Sequence, residues 1–322
     1  MRLTSILACC LPALFAISCP KLTFARQVSC LQQTVHVNVL TRDGRIVTGL
    51  APSNFVASYR HRPVLIRSVA ENRESRRVFI LIDASASMRP VHDLSFNVAE
   101  ELLSDLPPGT QFAFLVFAER ATGAPEFTTD RSALRKRLET LRNERHLQKR
   151  IRRMTALLGA LQVGLASFGQ PHEGDSFYVI SDGDDNLSQI NWRKLDLEML
   201  HTSIRVFAMR VHWTGTPVSS GDDHLMDLVR STGGYAVVLP LPFDEYDDLV
   251  YDRPLTDSHG SPTRLAAEIG LQLRLIMHSM DMAVQLPHPP GKLSNWDLRL
   301  ADPRSAKSLI LTYQHVLTPC HN

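Results

Sequence analysis

An α/β fold with a doubly wound, mostly parallel sheet, joined to a smaller β-sandwich formed by the two chain ends, is the architecture this sequence predicts. Three observations predict it. Val78-Phe79-Ile80-Leu81-Ile82 and Phe177 to Ser181 are apolar runs without polar alternation, as in strands buried on both faces of a parallel sheet. Between Arg77 and Leu239 such strands alternate with helical spacings, the pattern of a right-handed βαβ series. Outside that stretch both ends turn to period-two alternation, the mark of half-buried antiparallel strands.

The elements follow in order. Gln33 to Leu40 alternates, turns at Arg42-Asp43-Gly44 and resumes at Arg45 to Val47, an expected hairpin. Phe55 to Tyr59 and Pro63 to Ala70 are further strands. After the apolar run at 78–82, Val91 to Leu106 is helical and stops at Pro107-Pro108-Gly109. Phe112 to Phe117 is a strand. Ser132 to Leu141 and Thr155 to Phe168 are helical, and Phe177 to Ser181 is a strand. Leu195 to Leu200 reads as helix, Ile204 to Val211 as strand, Leu225 to Ser231 as a helix ended by Gly233-Gly234, and Tyr235 to Leu239 as the last strand of the series. Beyond a Pro/Asp/Tyr-rich connection, Thr263 to Gly270 reads as helix. Leu271 to Gln285, Leu293 to Leu300 and Ser308 to Leu317 read as strands. The expected division is 26–75 and 263–320 for the two sandwich halves, with 76–255 inserted between them.

The chain has 322 residues, long for one compact domain and comfortable for two. Its N-terminus reads as an export signal over 1–25. Arg2 precedes an apolar run from Leu3 to Cys19, and Thr23-Phe24-Ala25 fits a small-x-small cleavage site. An uncleaved anchor and a lipid on Cys19 are the alternative outcomes. Cleavage leaves Cys30 and Cys320, and two cysteines in an exported chain suggest one disulfide joining the ends. The expected place is the periplasm or outside the cell.

The residues that carry chemistry are Asp83-Ala84-Ser85-Ala86-Ser87, directly after the first buried strand. Ligands of an open parallel sheet bind beyond the carboxyl ends of its strands. A carboxylate and two hydroxyls in one tight loop are hard oxygen donors, suited to Mg²⁺ or another hard divalent cation. Asp182 ends a second central strand in the same way, and Thr155 places a hydroxyl at the start of a helix. Asp184 and Asp185, just beyond, read as a solvated turn.

Three separated pieces in this order, ILIDASASM, MTALLGAL and VISDGDDN, make the stretch from Arg77 to about Leu239 resemble the von Willebrand factor A domain, a Rossmann-like fold. The lead-in from Val35 to Val69 further resembles the VWFA-related proteins common in acidobacteria. The resemblance implies a metal-ion-dependent adhesion site with Asp83, Ser85 and Ser87 in the first loop, Thr155 in the second and Asp182 in the third. It implies Mg²⁺, alternatively Mn²⁺ or Ca²⁺, as the cation, and a protein partner whose Asp or Glu carboxylate completes its shell. Family members carry small residues ahead of that threonine, whereas this chain has Arg152-Arg153-Met154.

Net charge is only +2, but ten Lys/Arg against two Glu crowd 131–153. Arg135, Lys136, Arg142, Arg145, Lys149, Arg150, Arg152 and Arg153 form the expected patch for an anionic envelope polymer or lipid, the metal-independent alternative. The segment has no aromatic residue for base stacking, which argues against nucleic acid. There is no H-E-x-x-H, P-loop, G-x-G-x-x-G or G-x-S-x-G motif, and the chain is expected to bind rather than catalyse.

Overall fold

The computed structural model describes residues 31–144, 155–214, 224–242 and 264–319. The lead-in forms β1 (Gln32–Thr41), β2 (Phe55–Tyr59) and β3 (Arg62–Glu71). The middle forms β4 (Arg77–Asp83), α1 (His92–Asp105), β5 (Gln111–Phe117), β6 (Ala121–Thr128) and α2 (Arg131–Arg142), then α3 (Leu157–Ser167), β7 (Asp175–Ser181), α4 (Trp192–His201), β8 (Arg205–Thr214), α5 (His224–Ser231) and β9 (Ala236–Pro242). The tail forms α6 (Arg264–Met277), β10 (Met280–Gln285), β11 (Ser294–Asn295), β12 (Asp297–Leu300), α7 (Pro303–Ser308), β13 (Leu309–Tyr313) and β14 (Val316–Leu317).

The middle sheet runs β6-β5-β4-β7-β8-β9. All its pairings are parallel except β5 with β6. The apolar runs explain its depth. Every residue of β7 is buried, and β4 is buried from Val78 to Asp83. Alternate side chains of β4 serve opposite faces. Ile80 and Ile82 join a core with α1, α2 and α6, while Phe79 and Leu81 join one with α3, α4 and α5. Gly164 sets how closely α3 lies on the sheet: a Cβ there would stand 2.5 Å from the Phe177 ring. At the edge, β9 carries Pro240 and Pro242, residues that withhold a donor from further strand addition.

The two chain ends make one antiparallel system, ordered β12-β2-β3-β10-β1-β13. β3 passes between its two layers. Arg62, Pro63 and Val64 pair with β2, and Leu65 to Glu71 pair with β10. Val35, Val37 and Val39 from the lead-in meet Met282, Val284, Trp296 and Leu298 from the tail in a third core. Gln33 Nε2 donates to Thr318 O at 2.8 Å, so the two halves also meet near their ends. Cys30, Cys320 and the expected leader lie outside the described residues.

Some expected elements differ. Leu271 to Met277 continues α6 rather than starting a strand. Ile269, Leu273 and Ile276 share one buried helical face, with Gln272 beside them. Gln272 Nε2 donates to Ala208 O at 2.8 Å and Tyr235 O at 2.9 Å, and Tyr178 Oη donates to its Oε1 at 2.5 Å. The expected strand at Arg45 to Val47 is reduced to a single bridge between Leu40 and Ile46. β6 and α7 were not expected.

The sandwich docks on the edge of the parallel sheet where its strands begin. Arg205, at the start of β8, is fully buried and donates from Nη2 to Leu275 O at 3.0 Å and Ile276 O at 3.2 Å. Arg76, just before β4, donates to Met277 O at 3.1 Å and Asn72 O at 2.8 Å. The Leu275, Ile276 and Met277 carbonyls belong to the last turn of α6, which has no helical partners for them, and two cations answer its negative end. His36 of β1 lies 2.9 Å from Asp281 Oδ1 and 3.0 Å from Ser203 O. Arg77 clasps the fully buried Asp175 through two hydrogen bonds of 2.8 and 2.5 Å. Among the described residues no helix is long and apolar enough to cross a membrane.

Candidate metal centre

At the opposite edge, where parallel strands end, three loops converge. β4 delivers Asp83, 1% exposed. Its Oδ1 accepts from Ser85 N at 2.8 Å, and its Oδ2 accepts from Ser181 Oγ at 2.7 Å. Each carboxylate oxygen keeps a second lone pair for a further partner. Ser85 opens a short 3-10 turn over Ala86–Val91, and its Oγ shares a hydrogen bond with Ser87 Oγ at 3.0 Å. The Ser87 hydroxyl also bonds Asp182. Asp182 follows β7 and accepts from Asp184 N at 3.2 Å. Gly183, with φ of 86°, makes the turn after it, a conformation that favours glycine.

The second loop is tied to both others. Ala84 N donates to Phe117 O at 2.7 Å and Ala156 N donates to Ala118 O at 2.9 Å, so consecutive carbonyls at the end of β5 hold the first and second loops. Thr155 is buried. Its N–H donates to Asn186 Oδ1 at 2.8 Å, and its carbonyl accepts from Asn186 N and Leu187 N at 3.2 Å. Asp185 accepts from Leu158 N at 2.6 Å and Ser188 Oγ from Gly159 N at 3.1 Å, capping the first turn of α3. The structure thus joins the three loops that carry Asp83, Ser85, Ser87, Thr155 and Asp182. It corrects the reading of Asp185, which caps a helix, while Asp184 is exposed as expected.

Electrostatics mark the pair of aspartates. Burial, and then the neighbouring Asp182 charge, push the Asp83 carboxyl up to about 8. Burial also raises Asp182, against the hydroxyl of Ser87 and the positive charge of Arg210 on β8. Two carboxylates in one low-dielectric site resist ionising together unless a cation joins them. Among the described residues no three His, Cys, Asp or Glu side chains gather to hold a metal. The centre is instead two carboxylates and hydroxyls, a hard-oxygen set that fits Mg²⁺, Mn²⁺ or Ca²⁺.

The basic segment is divided. Arg135 and Lys136 are exposed on α2, with Arg135 donating to Ser104 Oγ at 3.0 Å. Arg142 is half-buried and turned to α1, donating to Asp93 Oδ1 at 3.0 Å and Asn97 Oδ1 at 2.5 Å. Arg145, Lys149, Arg150, Arg152 and Arg153 lie outside the described residues. Sequence reasoning missed Ser181, Asp185, Asn186 and Ser188. Ser181 carried a signal, as a hydroxyl in an otherwise apolar strand directly beside Asp182.

The order of the parallel sheet, its two helical layers and the loops that carry Asp83 and Asp182 are the arrangement expected of the von Willebrand factor A fold that the sequence resembles. No protein-family model and no curated protein matches the chain. Among solved structures, the conserved hypothetical protein BatB from Bacteroides thetaiotaomicron is 17% identical, over 62% of this chain and 97% of its own, with a TM-score of 0.43. An aerotolerance-related membrane protein from Bacteroides fragilis is 16% identical, over 62% of this chain and 99% of its own, with a TM-score of 0.44. A von Willebrand factor type A protein from Catenulispora acidiphila is 11% identical, over 88% of this chain and 73% of its own, with a TM-score of 0.44. At these identities and scores the fold is read from the chain's own strand order.

Proposed function

We propose that this chain is an exported, non-enzymatic binding protein that grips a partner through a divalent cation held by Asp83, Ser85, Ser87, Thr155 and Asp182. The observation that supports this reading most is the buried, mutually repelling Asp83–Asp182 pair, set among hydroxyls at the edge of the sheet opposite the docked sandwich. Mg²⁺ is the favoured cation, with Mn²⁺ or Ca²⁺ as alternatives. Bound there, it would accept one further anionic oxygen, the Asp or Glu carboxylate of a protein partner. The chain's own residues have simpler duties. Asp83 and Asp182 supply charge, the hydroxyls supply neutral donors, and Asn186 and Asp185 hold the second loop in register.

The test is calorimetric titration of Mg²⁺ and Mn²⁺ into protein stripped with EDTA, beside Asp83→Ala and Asp182→Ala. The expected result is saturable binding in the parent and its loss in both variants. No binding in a folded parent would overturn the reading and move attention to the basic segment. Partner binding through that segment would survive EDTA and weaken with salt.

A further inference from the structure

Arg210 of β8 stands beside the aspartate pair. In the parallel pairing of β7 with β8 it lies opposite Ser181, the residue before Asp182. Val206 and Ala208 of β8 turn into the core shared with α3, α4 and α5. Arg210 continues that row one step further, where the strand leaves the core, and is half-buried. Its Nε stands 3.4 Å from where a Cβ of Gly183, the residue after Asp182, would be, and Leu225 of α5 backs the same point at 3.7 Å. Its strand partner and its side-chain neighbour thus flank Asp182, whose carboxyl feels the Arg210 charge. The other carboxylates of this loop are placed differently. Asp185 accepts from Leu158 N and Ser188 N, and Asp184 is exposed.

A metal ion and a guanidinium beside one carboxylate compete for it, because each is drawn to the carboxylate and repelled by the other. A guanidinium also offers a planar fork of donors that matches the two oxygens of a carboxylate. We propose that Arg210 selects the partner's carboxylate: it holds Asp182 in the metal-free protein and turns its donors to the partner once a divalent cation has taken Asp182, an assignment that rests on the metal-binding reading above. The cation and Arg210 are then two positive groups at one loop, and an anion between them relieves their repulsion. The loaded centre therefore prefers a carboxylate to a neutral amide of the same shape. By linkage, the carboxylate and the cation each strengthen the binding of the other.

The experiment titrates Mg²⁺ by calorimetry into the full chain stripped with EDTA and into its Arg210→Gln and Arg210→Lys variants. N-acetylglutamate amide and N-acetylglutamine amide are then titrated into each Mg²⁺-loaded protein. Arg210→Gln is expected to bind Mg²⁺ more tightly than the parent. It is expected to bind the glutamate probe roughly tenfold or more weakly, the scale of a lost charge-assisted hydrogen bond. Arg210→Lys keeps the charge without the fork, so it is expected to bind Mg²⁺ like the parent and to recover only part of the probe affinity. The glutamine probe is expected to bind none of the three. Circular dichroism checks that both variants are folded. Three results would overturn the role of Arg210 and leave the metal reading standing: Mg²⁺ affinity unchanged or weakened in folded Arg210→Gln, undiminished binding of the glutamate probe by that variant, or no binding of that probe by the loaded parent. Absence of Mg²⁺ binding by parent and variants alike would overturn both.

Discussion

The two edges of the parallel sheet treat buried charge in opposite ways. Where the strands begin, each buried charge is answered from within. Arg205 and Arg76 bond the last carbonyls of α6, and Arg77 clasps Asp175. Where the strands end, Asp83 and Asp182 are buried side by side, each raised above the ordinary carboxylate range. The first arrangement fixes the end of α6, a helix of the parallel sheet's own core, beside the starts of β4 and β8. The second buries two carboxyls that resist ionising together, a conflict that a bound cation would relieve. The difference teaches that neither burial nor like charge alone marks a site, since Arg76 and Arg205 are buried cations near one another whose charge Asp281 and the α6 carbonyls answer.

The comparison breaks first at Arg205. Burial, and then the Arg76 charge, lower its guanidinium to about 9, yet its donors satisfy two carbonyls. Arg205→Met is expected to cost about 3–5 kcal/mol in urea unfolding, because it strands those carbonyls and breaks a buried charged network. Asp83→Asn, of the same shape and at the other edge, is expected to leave the metal-stripped protein as stable or more stable. Equal losses at the two edges would erase the contrast.

A gentler effect comes from pH. The folded Asp83 carboxyl titrates above its unfolded counterpart, so its contribution to the stability of metal-stripped protein is fully present below about pH 4. That contribution is lost as pH rises through about 8. Thermal melts without metal should therefore show stability draining over that window, less so in Asp83→Asn. Added Mg²⁺ should restore stability at the alkaline end. A slope unchanged by Asp83→Asn would place the titration elsewhere.

The smallest expected effect sharpens the site itself. Asp185→Ala removes the cap on Leu158 N and should cost about 1 kcal/mol of stability, the usual value of a helix cap. It should also weaken Mg²⁺ binding, because Thr155 hangs from the same loop. Unaltered affinity in that variant would separate the cap from the centre.

The legible parts of the molecule were those where one physical demand dominates. Strands β4 and β7 are buried on both faces and could be read from their apolar runs alone. Asp83, Ser85, Ser87, Thr155 and Asp182 were legible because polar residues directly follow such runs or open a helix. β6 was hidden because ATGAPEFT carries Gly123 and Pro125 and is largely unburied, as an edge strand can be. The second half of α6 was misread because Leu271, Leu273 and Leu275 alternate as in a strand. Its buried Gln272 gains partners only once β7, β8 and the turn at Tyr235 are assembled. The helix α7 did announce itself, with Asp302 capping Arg304 N and Pro303 in the first turn, but it is only six residues long. The ties from Asn186 and Asp185 to the second loop span 27 to 31 residues of sequence, beyond any local pattern.

The central claim is that the Asp83–Asp182 pair holds a divalent cation, and a crystal structure grown with Mn²⁺ tests it most directly. The account predicts one anomalous peak among Asp83, Ser85, Ser87, Thr155 and Asp182, with its nearest hydroxyl oxygens at roughly 2.0–2.6 Å. An empty site at saturating Mn²⁺, with Asp182 instead ion-paired to Arg210, would contradict it.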